Sequence, residues 1–289
     1  MNGYIRPLKS ISSLTSRVYC GKIGHMIMIK SNYRYWSLIK ELAITDFKLK
    51  YQGSVFGYFW SLMKPLAYFG VLYIVFTKIF KIGGSIPYYP VYLLLGVMMF
   101  GFWGEATSGA MLSIASKGDL IRKVYFPRIV LVIASSLTSL MTFFLNLFIV
   151  FLFALVLGVP LGVKTLLIFL VILEFYFFVL GVSFYLGALF VKYRDVGHIW
   201  EVFNQILFYA TPIVYPLSLV PLKYAKIMIL SPFAQIMQDM RGFIIGSQNV
   251  LTVSDYWAFY FIPHLLVIFI FVTGYYLFQK MAAKFAEEV

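Results

Sequence analysis

Few residues in this 289-residue chain have types and spacings that could do chemistry. The three histidines, His25, His198 and His264, stand far apart and form no His-x-x-x-His ligand pair, so each reads as structural or interfacial. Cys20 is the single cysteine, which excludes a disulfide framework and a cysteine metal cluster. No histidine is followed by the acid of an acyl-transfer pair, and no Asp-x-Asp sugar-nucleotide site occurs. The nearest approach to a phosphate-binding loop, residues 158–165, carries Val163 where a glycine must precede the lysine. No cofactor is therefore expected on this chain, and any ATP-driven process would need its motor on a separate polypeptide. Glu105, Glu174 and Glu201 are the acidic candidates for a proton path. They are isolated, and structural hydrogen bonding is the better reading of Glu105.

Two features remain. The first is a charged island at 117–128, KGDLIRKVYFPR, set between two long apolar runs. Lys117, Arg122, Lys123 and Arg128 are its cations. Gly118 is expected to break the helix before it, Asp119 to cap a short helix through Val124, and Pro127 to admit the next helix. A basic loop between membrane spans belongs on the cytoplasmic side. From charge alone, a topology anchor and a contact surface are equally good readings. The second feature is the aromatic content of 30 Phe, 22 Tyr and 5 Trp. Rings facing a channel would stack on the C–H faces of sugars, and tyrosine adds a polar tip. Trp60, Tyr68, Tyr73, Trp103, Phe208, Tyr209 and Tyr215 are the candidates, with core packing the plainer role for each.

The elements that must position these residues follow from composition. The chain is 62% hydrophobic and 12% charged, with a mean hydropathy of +0.88. A soluble domain carries about twice that charge, so the class is an all-α integral membrane protein. The net charge of +13 fits cationic loops meeting anionic lipid rather than nucleic acid. The first 30 residues lack a continuous apolar run, so no cleavable signal peptide is expected.

Six transmembrane helices are expected, near 60–80, 88–112, 129–157, 165–191, 198–217 and 257–279, since about 20 residues cross ~30 Å of hydrocarbon. The second carries Gly96, Gly101, Gly104 and Gly109, which permit close helix approach or mark a kink or unwound half. Residues 36–52 alternate Ser37, Glu41, Thr45 and Lys48 against Trp36, Ile39, Ala43 and Phe47, the pattern of an amphipathic helix in the membrane interface. Between the fifth and sixth spans, Ser231 and Pro232 open an outer amphipathic or re-entrant helix that ends at Gly246. With both termini cytoplasmic, 18 of the 24 Lys and Arg residues fall inside, a three-to-one bias. The organisation is a cytoplasmic segment 1–58, a six-span domain 59–280 and a cytoplasmic tail 281–289.

In order and spacing, five motifs resemble one family. They are YQGSVFGYFW at 51–60, KPL at 64–66, KVYFPR at 123–128, YRDV at 193–196 and TPIVYP at 211–216. Together they resemble the membrane subunit of polysaccharide-exporting ABC transporters, which move O-antigen, capsule or teichoic-acid chains. The resemblance covers residues 35–280. It implies a channel between two copies of the chain in the bacterial cytoplasmic membrane, with two ATP-binding cassette subunits beneath that carry ATP and Mg. It implies a lipid-linked glycan as substrate. It also implies contacts to the ATPases through 36–52 and through Lys117, Asp119, Leu120, Arg122, Lys123, Phe126, Arg128, Arg194 and Asp195. The helix near 232–245 would gate the exit. Thr211, where the family more often has serine, and Glu174 in the fourth span depart from its pattern. A permease of the same architecture for a drug or lipid, and a membrane enzyme acting on lipid-linked sugars, are the alternatives.

Overall fold

The computed structural model describes residues 35–82, 86–124, 126–246, 257–283 and 285. Residues 1–34, 83–85, 125, 247–256, 284 and 286–289, which include most of the expected cytoplasmic segments at both ends, lie outside them. Among the described residues every regular element is helical. Helix α1 covers 35–51. It is followed by α2 (Trp60–Ile74), which runs on through a π-helical turn at Val75–Ile79, and by α3 (Tyr89–Ser113), α4 (Gly118–Lys123) and α5 (Ile129–Val156). Then come α6 (Ile168–Lys192), α7 (Val196–Ala210), α8 (Leu222–Ile229), α9 (Pro232–Ile245) and α10 (Trp257–Ala282).

Helix α3 is the centre. Of its most apolar stretch 72% is buried, against 11% for the span made by α2. A helix apolar on every side has no preferred solvent face, so it takes the middle of the bundle. α5, α6, α9 and α2 pack around it. Its helix is continuous through all four glycines, so it has no unwound half there. Gly101 and Gly104 have open space where a Cβ would be, and Gly109 meets Ser135 of α5. Gly96 serves a different purpose, described below.

The second tight seam is α6 against α10. A Cβ on Gly181 would lie 2.8 Å from the Phe271 backbone, and one on Gly274 would strike the Gly181 carbonyl. Two glycines facing each other let the helix backbones touch, which is how helices gain contact in a solvent as apolar as their side chains.

Among the described residues five helices are long and apolar enough to cross a membrane: Gly57–Ile79, Tyr89–Ser113, Ile129–Val156, Val163–Lys192 and Phe261–Ala282. The expected span at 198–217 is not one of them. α7 has 15 residues, a rise of about 22 Å, and it stops at Ala210. Residues before proline are biased out of the helical region. Thr211 before Pro212 is accordingly extended, with ψ 142°. The chain turns through 211–216 and returns by α8 and α9.

That turn leaves backbone carbonyls buried in the protein, where no water satisfies them. The fold answers with Arg241 of α9, which is completely buried. Its guanidinium donates to the carbonyls of Pro212 (2.6 Å), Ile213 (2.7 Å) and Tyr92 (3.2 Å) and lies 3.5 Å from the Tyr92 ring centroid. Tyr89 donates to the Val214 carbonyl at 2.9 Å and Tyr92 to that of Tyr215 at 3.2 Å. Gly96 makes the room: a Cβ there would sit 2.5 Å from Arg241 Nη2. The segment expected to lie flat or dip inward is a buried helix packed against α3 and α6, with Phe233, Ile236, Met237 and Met240 in the core. Ser231 is its N-cap and Pro232 its first residue, although the Ser231 side chain makes no capping bond.

Candidate functional site

Two grooves meet on one flank of the bundle. The first, about 680 Å³, runs between α2, α3 and α7 and is walled by Tyr68, Phe100, Trp200, Phe208 and Tyr209. Gly104 gives it width, and Glu201, Asn204 and Gln205 give it a polar side. The second, about 670 Å³, is bounded by Tyr51, Trp60, Lys64, Tyr68 and Phe100, with Ser139, Thr142 and Asn146 of α5 opposite. Tyr68 and Phe100 belong to both. Gly101 and Gly104 thus act as floor rather than hinge.

Of the seven aromatics singled out in the sequence, four line these grooves. Trp60, Tyr68 and Tyr209 are exposed, and Phe208 turns its edge in from the core. The other three sit elsewhere. Trp103 is buried and stacks on Phe178, with its indole N–H donated to Asn204 at 2.9 Å. Tyr73 stacks between Phe69 and Tyr89. Tyr215 closes the turn at 211–216 by donating its hydroxyl to the Tyr209 carbonyl at 2.8 Å. What sequence reasoning missed is the polar lining. Glu201, Asn204 and Gln205 recur at three and four residues in an otherwise apolar helix, and Ser139, Thr142 and Asn146 do the same on α5. Each is a stripe that marks a face turned away from lipid. Asn146 is buried, and its Oδ1 has no partner among the described residues.

At the α4 end of the bundle the charged island meets α1. Ile39 and Ala43 are buried against Phe126, Val130, Leu131 and Ala134, and Thr138 donates to the Ala43 carbonyl at 3.1 Å. The helix is as expected, but its packing face is offset: Trp36 and Leu49 are exposed, while Asp46 and Tyr51 turn inward. Two ion pairs fix it. Asp46 meets Lys117 at 2.5 Å and Lys50 meets Glu105 at 2.7 Å. Glu105 is thus a structural ion-pair partner that ties α1 to α3. Asp46 carried a signal in the sequence. It stands on the apolar stripe of Ile39 and Ala43, and a charge on such a face implies a buried partner.

Lys117 is turned inward to Asp46, Phe126 is buried, and Leu120 and Arg128 are half-buried. Asp119, Arg122 and Lys123 project outward, as do Arg194 and Asp195 of the second loop. Gly118 does not break a helix. It is the first residue of α4 with φ −54°, and its N-cap is Lys117, so Asp119 lies inside the first turn instead of capping it. There its charge still opposes the positive end of the helix dipole.

An apolar bundle with a groove open on one flank and a charged face at one end has the make-up of a membrane-spanning transport subunit. The chain belongs to the ABC-2 type transporter family, which it matches over residues 37–245. It is 26% identical over 264 residues to the O-antigen export system permease protein RfbA of Klebsiella pneumoniae, a match that covers 90% of this chain and 98% of that one. It is 28% identical over 221 residues to the Myxococcus xanthus protein of the same name, covering 74% of this chain and 83% of the relative.

Proposed function

We propose that this chain is the permease subunit of an ATP-driven exporter of a lipid-linked polysaccharide such as O-antigen, acting in the bacterial cytoplasmic membrane. The observation that carries the reading is the groove between α2, α3 and α7. It is walled by rings with only a few polar groups among them. Many weak stacking contacts suit a sugar chain that must slide, where a tight polar pocket would hold it. Names carried by relatives aligned over nine-tenths of the chain (90%) support the same substrate class.

The groove is open, and the outer face of α7 (Ile199, Val202, Ile206, Tyr209) is uncovered. A second copy of the chain facing it makes a closed channel. Two ATP-binding cassette subunits, which carry ATP and Mg, dock on α1, on the outward residues of α4 and on Arg194 and Asp195. Their closing motion reaches α3 through the Asp46–Lys117 and Lys50–Glu105 pairs. α7, with the turn after it, makes the fifth of six crossings, which leaves both termini cytoplasmic. Residues 1–58 and 281–289 flank the 59–280 membrane domain. α9 gates the outer end.

The test is purification of the chain with the ATPase encoded beside it, followed by hydrolysis measured with and without lipid-linked glycan. Glycan-stimulated hydrolysis is expected. Absence of an ATPase partner, or stimulation by a small amphiphile but not by glycan, overturns the reading.

A further inference from the structure

The departure at Glu174 has a structural setting. Glu174 lies in the outer half of α6, six residues after Ile168, and about 9 Å along the helix axis from it. Its Oε1 meets His264 Nδ1 of α10 at 2.5 Å. His264 Nε2 in turn faces Asp239 Oδ2 of α9 at 3.9 Å, and Asp239 accepts from Gln235 at 2.9 Å. Beside this chain of groups runs an open groove of about 450 Å³ between α6 and α10. Its walls are Leu170, Leu173 and Phe177 on one helix and Val267, Ile268 and Phe271 on the other. Leu170, Leu173 and Ile268 are well exposed, so the groove opens to the lipid side of the bundle.

Glu174 and His264 are each 24% exposed at the bottom of that groove. Oε2 of Glu174 makes no hydrogen bond and is not shut away, among the described residues. A carboxylate oxygen open to hydrocarbon is costly and draws a donor. Among the described residues no lysine or arginine lines the groove. A ligand that suits it carries a hydrogen-bond donor at one end, is apolar along the rest, and enters from the lipid side.

We propose that the α6–α10 groove binds a membrane lipid with a primary ammonium headgroup, the ammonium donating to Glu174 Oε2 and an acyl chain lying along Leu170, Leu173 and Ile268. The ligand completes a polar chain that ends on helix α9. It is independent of the polysaccharide reading, since no residue of the aromatic groove takes part.

The test is native mass spectrometry of the purified full-length chain in mixed micelles holding phosphatidylethanolamine and phosphatidylglycerol in equal amounts. The parent should retain phosphatidylethanolamine about tenfold over phosphatidylglycerol, the size of one charge-assisted hydrogen bond. Glu174→Gln should bring the two lipids to parity. Leu173→Trp, which fills the groove and leaves Glu174 in place, should lower retention of both. Equal retention by the parent, or a preference that survives Glu174→Gln, overturns the assignment. If Glu174→Gln does not fold, Leu173→Trp decides alone: unchanged phosphatidylethanolamine overturns it and loss supports it. Disulfide cross-linking between copies through Ile268→Cys would assign the groove to a protein interface and also overturn it.

Discussion

Replacing Arg241 by methionine removes one guanidinium and leaves the apolar part of the side chain. Three backbone carbonyls, those of Pro212, Ile213 and Tyr92, then lose their donor inside the membrane. Intramembrane hydrogen bonds measure about 0.6–1.7 kcal/mol each, and a charged donor places these toward the upper end. Three of them sum to roughly 2–5 kcal/mol, before any loss of the Tyr92 ring contact. For a domain of this size that corresponds to a fall in Tm of about 5–15 °C. The assay is thermal unfolding of the detergent-purified chain followed by tryptophan fluorescence, with Arg241→Lys beside it. Lysine keeps the charge but presents no planar fork, so it should recover only part of the loss. A double-mutant cycle adds a stricter check. Gly96→Ala puts a Cβ 2.5 Å from Nη2 and 3.0 Å from the Ile213 carbonyl oxygen, which costs about 1–3 kcal/mol as overpacking. In the Arg241→Met background most of that penalty should vanish, a coupling of about 1 kcal/mol or more. An unchanged Tm for Arg241→Met, or strict additivity with Gly96→Ala, would refute the view that Arg241 closes the turn at 211–216.

Other consequences can be checked in the same preparation. Gly274→Leu drives a side chain into the Gly181 carbonyl and should abolish the α6–α10 seam; monodisperse protein of normal yield on size exclusion would contradict it. Lys117→Met breaks a half-exposed pair with Asp46 and should cost about 0.5–1 kcal/mol, seen as faster proteolysis within α1 at an unchanged global Tm. Charge reversal at Arg122 and Lys123, both outward-facing, should leave insertion intact while hydrolysis no longer drives export; full export would reduce the island to a topology anchor. Tyr68→Ala with Tyr209→Ala, which strips two rings from the first groove, should lower glycan export at least about tenfold with ATPase binding retained, a loss of one or two stacking contacts.

Much of the fold was legible because a membrane turns it into a problem of length. Five expected spans begin and end within a few residues of α2 with its π-helical turn, α3, α5, α6 and α10, since an apolar run has one way to satisfy its backbone in hydrocarbon. The helix at 232–245 was legible for a different reason. Ser231, Pro232 and Gly246 punctuate both of its ends locally. In the fifth expected span the helix stops early, because apolar content continues past Ala210 while helical hydrogen bonding does not; Pro212 and Pro216 decide the backbone, and hydropathy does not register them. In the groove, Trp60, Tyr68, Phe208 and Tyr209 could be named but not told apart from Trp103, Tyr73 and Tyr215. An aromatic ring in an apolar helix carries the same local pattern whether it faces core, cavity or lipid.

The sequence by itself determined the class, the cationic face and the order of helices, because hydropathy, charge bias and proline placement act over one or two turns. Only the tertiary structure decided which polar groups meet. Arg241 and the Tyr92 carbonyl are 149 residues apart, and Glu174 and His264 are 90. In a bilayer each such group must find a partner within the protein or a ligand from the lipid. Which partner it finds depends on how close the backbones come, and at Gly96, Gly181 and Gly274 that closeness is set by side chains that are absent.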